Sequence, residues 1–170
     1  MSRVVAGALL AIVASGAWAA EETAKVTASW QAAGRIFEVE ADKLLFHGTY
    51  AGLLFVEDGA QTFDTATLLC PVSHEIDVKA KQASGSGRCI IVMPDGESVY
   101  ARFSCSGAVG ACAGEFKLVG GTGRYAGISG GGPFRSRTGM AAFAHRLGPG
   151  AAISEADGLI TWPALKYRLK

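Results

Sequence analysis

A regular alternation of apolar residues with other residues, repeated in short runs between glycines, most constrains what this chain can fold into. The longest run covers residues 44–56, where Phe46 and Tyr50 fall on one face of an extended strand. Gly48 and Gly52 interrupt this run and predict bulges or sharp curvature, as in a sheet that bends into a barrel. Stretches with helical periodicity are few, so the pattern predicts an all-β domain.

A tight turn is predicted at residues 93–97, with the sequence Met-Pro-Asp-Gly-Glu. The proline presets the first turn position and the glycine adopts the left-handed conformation, so we expect a β-hairpin. Its register places Ile91 opposite Val99 on an apolar face. On the other face it places Arg88 opposite Arg102, which is unfavourable unless an acid or a ligand lies between them.

The C-terminal residues 158–169 alternate in the same way and predict a closing strand, with residues 148–156 as its connecting loop. Pro163 cannot donate a ladder hydrogen bond, so we expect an edge or a bulge at this position.

The N-terminal residues are typical of a secretory signal peptide. Arg3 precedes an uncharged apolar run at residues 4–14, which is too short to span a bilayer as a helix, and small residues at Ala17 and Ala19 suit a signal peptidase. We expect a signal peptide at residues 1–20, cleaved after Ala19 or Ala20, and a periplasmic or secreted protein. A membrane anchor is the alternative that the short run and the cleavage pattern disfavour. No cysteine follows closely, which excludes a lipoprotein anchor.

Length and charge bound the mature chain. Residues 21–170 have the usual size of one domain and can bury a core. Loss of Arg3 lowers the formal net charge from +1 to 0, with acids and bases interspersed. This balance argues against nucleic acid or an anionic membrane as the main partner. No later segment is long and apolar enough for a transmembrane helix.

All four cysteines lie in the part of the chain that export would place in an oxidising compartment, so we expect two disulfides. Three pairings are open; we favour Cys105 with Cys112, which closes a glycine-rich loop, and Cys70 with Cys89. A zinc site is the alternative, disfavoured because no C-x-x-C pair is present.

Residues 114–130 have the sequence GEFKLVGGTGRYAGISG. They resemble an element of the allene oxide cyclase and dirigent-protein barrel superfamily that consists of a strand, the motif G-G-T-G-R-[FY] and then the motif A-G-x-x-G. They are most similar to its small exported bacterial relatives, most of which have no assigned function. Supporting pieces lie at residues 47–52, 70–71, 87–89 and 95–96, so the resemblance covers roughly residues 43–137. The cysteine pattern departs from that of the plant enzymes.

The resemblance implies an antiparallel barrel of about eight strands whose interior can hold an apolar or aromatic small molecule. Activity does not carry over, because the pocket acids of the cyclase and the dirigent proteins have no match here. The glycine element is architectural in these families, and it implies a structural turn formed by Gly120, Gly121, Thr122, Gly123, Arg124, Tyr125 and Gly127.

Motifs for common catalytic and cofactor sites are weak. Residues 121–126 match G-x-G-x-x-A, but the glycines and proline at 127–133 would break the helix that a dinucleotide needs. His47, His74 and His145 lack metal-site spacing, and a solvated loop explains the cluster of His74, Glu75 and Asp77. Without a G-x-S-x-G elbow a hydrolase is disfavoured. We therefore predict no metal and no cofactor.

Four strand residues with polar tips are the predicted ligand-binding residues: His47, Tyr50, Tyr100 and Arg102. The alternative is that they are packing or surface residues with solvated tips. We expect a binding protein for an apolar or aromatic small molecule rather than an enzyme. The alternatives are a cofactor-free isomerase or cyclase and a structural or envelope-interaction module. The oligomeric state stays open.

Overall fold

The computed structural model describes residues 20–57, 59, 62–139 and 149–169. The predicted signal peptide up to residue 19 and His145 therefore lie outside the described residues. The described chain forms eight strands and one short 3-10 turn, Gly123–Tyr125. The strands are β1 Glu22–Glu40, β2 Lys43–Val56, β3 Thr67–Asp77, β4 Gln82–Val92, β5 Ser98–Ala108, β6 Ala111–Gly121, β7 Ser129–Thr138 and β8 Ala152–Arg168.

Each strand pairs antiparallel with the next one along the chain, and β8 pairs with β1 to close the barrel. The all-β class and the eight-stranded antiparallel barrel are thus confirmed. Closure leaves no unpaired sheet edge. Among the described residues, no helix is long and apolar enough to cross a membrane.

The predicted hairpin at residues 93–97 is confirmed. The amide of Met93 donates to the carbonyl of Glu97 at 2.8 Å, and Gly96 has a φ of +85°. Ile91 pairs with Val99, and both are fully buried. The proline thus starts a turn that sets the register of the whole β4–β5 pair.

The closing strand is longer than predicted. Strand β8 begins at Ala152, so the assignment of residues 152–156 to a loop was wrong. The interior needs these residues, because Ile153 and Ala156 are buried against β1. One of the two register shifts of β8 against β1 falls between Trp162 and Leu165, which confirms the bulge expected at Pro163.

Glycines allow β1 and β2 to approach closely where the sheet curves. A β-carbon at Gly48 would overlap the carbonyl oxygen of Ala33, and one at Gly52 would overlap that of Ser29. Both positions therefore favour glycine for steric reasons, and neither is a bulge, because β2 pairs with β1 and β3 through both positions without a register shift.

The barrel has two different ends. The end that carries the β2–β3, β4–β5 and β6–β7 connections, here called the packed end, is filled by large side chains. The Phe63 ring meets Tyr167 edge-on with 5.1 Å between centroids, and the Tyr167 hydroxyl lies 3.0 Å from Thr62 Oγ1. Met93 and Tyr125 are also buried there. The opposite end, here called the cavity end, carries the β5–β6 turn.

The glycine motif lies at the packed end and has an architectural role. Thr122 Oγ1 accepts a hydrogen bond from the amide of Ser98 at 2.9 Å and donates one to Glu97, which joins the turn to the neighbouring hairpin. Arg124 pairs with Asp95 at 2.8 Å. Only a single 3-10 turn follows the glycines, so the geometry of a dinucleotide site is absent here.

Both predicted disulfides are present. Cys70–Cys89 joins β3 to β4, and Cys105–Cys112 joins β5 to β6. Cys70 and Cys89 are buried inside the barrel, and Cys112 lies near its mouth. The two bridges therefore constrain adjacent hairpins on one side of the interior.

Candidate ligand-binding cavity

A cavity of about 70 Å³ lies inside the barrel at its cavity end. The β5–β6 turn, residues 108–112, forms part of its mouth, and Val109 packs there against the core. Its walls are dominated by aromatic side chains that come from seven of the eight strands: Trp30, Phe46, Tyr50, His74, Phe103, Phe116, Phe134 and Trp162.

These rings form a continuous band around the wall. Trp30 lies 4.6 Å from Tyr50, and Tyr50 lies 5.5 Å from His74, measured between ring centroids. Phe103 is 6.5 Å from His74 and meets Phe134 edge-on at 5.7 Å. Aromatic pairs favour such tilted and edge-to-face arrangements. The band fixes a rigid, apolar wall.

Inward-facing glycines leave the space that the rings occupy. The His74 ring fills the position where a β-carbon of Gly85 would lie, on the strand directly opposite. Trp30 lies in the same way over Gly158, with Cζ2 2.6 Å from the β-carbon position. Small residues therefore alternate with large ones across the wall, as interior packing of a small barrel requires.

Three buried nitrogen atoms on the cavity walls have no hydrogen-bond partner among the described residues: Trp30 Nε1, His74 Nε2 and Trp162 Nε1. Trp30 and Trp162 are only 3% and 2% exposed. An unsatisfied buried polar group costs free energy, so most are paired in native proteins. All three residues line the same cavity.

Burial controls the two titratable side chains of the cavity. Desolvation lowers the pKa of His74 to about 4, because the charged imidazolium loses its hydration. The same effect raises the pKa of Tyr50 above its usual value. Both side chains are therefore neutral at pH 7, and no charged side chain is buried in the described core.

The structure brings only one of the four predicted ligand-binding residues into the cavity. Tyr50 lies on the wall, whereas His47, Tyr100 and Arg102 lie exposed on the outer surface. His47 and Arg102 border a shallow outer depression beside Arg88, and Tyr100 is not among its lining residues. The four residues therefore do not form a single site.

Sequence reasoning missed His74 as a cavity residue. Its assignment to a solvated loop was wrong, because it lies in β3 and shares the inward face with Cys70 and Ile76. The sequence could have placed His74 inside, because side chains alternate along a strand and residues 70 and 74 therefore share one face. A buried Cys70 would make that face the inward one. Glu75 points outward, and the described residues contain no group of three metal-ligating side chains.

Comparison with known proteins gives no match to a family model, to a curated protein or to a solved structure. The resemblance to the allene oxide cyclase and dirigent-protein barrels therefore stays a prediction from the sequence, while the barrel itself is shown by the strand pairing.

Proposed function

We propose that this protein is a non-enzymatic binding protein whose barrel interior holds a small, neutral, aromatic or apolar molecule with a hydrogen-bond acceptor. The observation that carries the proposal is the set of unpartnered buried nitrogens on an aromatic wall: Trp30 Nε1, His74 Nε2 and Trp162 Nε1. The indole N–H groups are donors only, so the guest supplies acceptors.

The size of the cavity limits the guest. Its volume of about 70 Å³ is roughly half that of an engineered cavity of about 150 Å³ that binds benzene. A guest with one ring therefore displaces a side chain at the mouth. Val109, in the turn at the mouth, is only partly buried and is the side chain that such a guest would displace first.

Export fits this function. The two disulfides are stable in an oxidising compartment, and the N-terminal residues have the pattern of a secretory signal. A binding protein in the periplasm or outside the cell would meet small organic molecules from the surroundings.

A cofactor-free isomerase is the second candidate, because Tyr50 and His74 place two titratable groups in the cavity. Efficient general acid–base catalysis favours a pKa near the working pH. Burial moves the pKa of His74 down to about 4 and that of Tyr50 up, so both groups suit hydrogen bonding better than proton transfer. A purely structural module would favour a filled core, and the cavity argues against it.

A matched pair of ligands tests the proposal. Acetophenone and ethylbenzene have similar shapes, but only acetophenone carries an acceptor oxygen. We expect the wild-type protein to bind acetophenone about five- to tenfold more tightly in calorimetric titrations, as one neutral hydrogen bond allows. Trp162→Phe should reduce this preference, whereas His47→Gln on the outer surface should keep it.

Equal binding of both ligands would contradict the role of the nitrogen donors, and binding of neither would contradict a ligand-accessible cavity. Native mass spectrometry of the protein purified from its own cell provides an independent check. Extra mass that is lost on denaturation would reveal the natural guest.

A further inference from the structure

The outer surface carries an apolar row across four neighbouring strands. Leu69 of β3 pairs with Ile90 of β4, which pairs with Tyr100 of β5, and Val119 of β6 lies beside Tyr100 at the bulge between these strands. Their side chains are between 37% and 48% exposed. These four residues, here called the apolar row, form a contiguous patch rather than scattered surface residues.

A basic row lies directly beside the apolar row. It consists of Arg88, Arg102 and Lys117, each two residues along the strand from a member of the apolar row. Arg88 pairs with Arg102, and Arg102 pairs with Lys117. The two rows are thus about 7 Å apart on the same face of the sheet.

The side chains of the basic row are not ion-paired to any described residue. All three side chains are exposed, and within the described part of the chain no ion pair or side-chain hydrogen bond involves them. Glu115, the nearest acid along β6, lies on the same outer face two residues from Lys117 and opposite Ser104, and it forms no ion pair with the row. Like charges directly opposite each other destabilise a sheet, so this arrangement favours an external anion.

The acids of the adjacent hairpin do not neutralise the row. Asp95 pairs with Arg124 at 2.8 Å, and Glu97 accepts a hydrogen bond from Thr122. The net charge of the whole chain, only +1, averages over this local asymmetry. A net charge near zero therefore conceals an excess of positive charge on this face.

We propose that the outer face of β4, β5 and β6 docks the protein side-on to an anionic lipid bilayer. Phosphates of the headgroups meet the basic row, while Ile90, Tyr100 and Val119 enter the interface, where tyrosine is favoured. Neither row alone requires a bilayer, but an anionic lipid surface supplies the charge and the apolar layer side by side.

Other occupants fit this face less well. A second copy on a two-fold axis would bury the basic row against another basic row or against apolar side chains, which leaves unpaired charges without water. Nucleic acid would supply phosphates but would leave most of the apolar row without a partner.

Sedimentation with sucrose-loaded vesicles tests the proposal. The vesicles are phosphatidylcholine alone, or phosphatidylcholine with phosphatidylglycerol at a mole ratio of 7:3. The protein is collected after export and its first residue is read by mass spectrometry, because the apolar run at residues 4–14 would itself partition into lipid. We expect binding to the anionic vesicles only, weakening as salt is raised.

Two variants separate the contributions of the rows. The triple variant Arg88→Gln, Arg102→Gln and Lys117→Gln should lose roughly a hundredfold in partitioning, at about fivefold per charge. The double variant Tyr100→Ser and Val119→Ser should also bind more weakly. Far-ultraviolet circular dichroism and urea midpoints confirm that each variant is folded.

A matched triple variant changes the same charge elsewhere: Lys25→Gln, Arg35→Gln and Lys79→Gln. This variant should bind anionic vesicles like the wild type. If it lost as much partitioning as the variant of the basic row, the assignment of lipid binding to this face would be overturned. The protein could instead bind heparin but not vesicles, with the heparin binding dependent on the basic row and not on Tyr100 or Val119. This result would overturn the proposal of a lipid bilayer in favour of a soluble polyanion. If the protein self-associates but does not bind vesicles, and the double variant abolishes the self-association, the proposal of a lipid bilayer would be overturned in favour of a second copy of the chain.

Discussion

Acid should weaken the barrel through His74, whose ring lies on the cavity wall. The folded state holds the pKa of His74 at about 4, below its ordinary value of 6.5 in an unfolded chain. The unfolded state therefore binds the proton first as the pH falls. The contribution of the neutral His74 side chain to the free energy of unfolding is fully present above pH 6.5. It is lost as the pH falls from 6.5 to 4, and it changes no further below that range.

The two pKa values fix the size of the effect. Complete titration corresponds to about 3 kcal/mol of unfolding free energy, and about 2.5 kcal/mol of this is lost between pH 7 and pH 4.5. That loss is a large fraction of the 5–15 kcal/mol that is typical of a folded domain.

Urea unfolding at a series of pH values measures this loss. Trp30 and Trp162 both lie in the cavity, so tryptophan fluorescence reports the transition. His74→Gln removes the titrating group and should flatten the curve between pH 7 and 4.5 relative to the wild type. His47→Gln makes the same chemical change on the outer surface and should keep the wild-type slope. If His74→Gln and the wild type lose the same free energy over this range, burial of His74 is not the cause.

Two further predictions concern the wall of the cavity and the bridges. Gly85→Ala should lower the unfolding free energy by about 1–3 kcal/mol, because its β-carbon would overlap the His74 ring. Ser84→Ala on the exposed side of the same strand should change it by less than about 0.5 kcal/mol in urea titrations, and similar losses in the two variants would refute the steric reasoning. Replacing Cys70 and Cys89 with alanine should cost about 3 kcal/mol, and replacing Cys105 and Cys112 about 2.5 kcal/mol, because the first bridge closes the longer loop; the reverse order in urea midpoints would contradict the loop-entropy explanation.

Local patterns in the sequence predict the barrel well. The turn at residues 93–97 sets the pairing of Arg88 with Arg102, and this pairing is confirmed. The alternation around Tyr50 correctly groups Phe46 and Tyr50 on one face of β2, but it does not say that this face is the inward one, because both faces are largely apolar. Such features depend on residues that are close in the chain or on one tight turn, so they can be predicted from the sequence alone.

The cavity could not be predicted in the same way, because it depends on which strands face each other across the barrel. Gly85 and His74 are adjacent only once β3 pairs with β4, and Trp30 meets Gly158 only when β8 closes on β1. A glycine in a strand reads from sequence as a bend, yet at these two positions it provides space for a ring. The choice between a filled core and a cavity is therefore made by pairs of residues far apart in the chain.

The same register that forms the cavity also arranges the outer surface. Because side chains alternate along a strand, each step that aligns inward aromatic rings also aligns outward residues. Cys89 and Ala101 pair on the inside, and beside them Arg88 and Arg102 pair on the outside. A one-residue change of register that separated the two arginines would turn one of the two strands over and expose its inward residues. Packing of the interior therefore keeps the side chains of the basic row adjacent despite the repulsion between their charges. An anion outside the barrel can bind these charges without any change of fold.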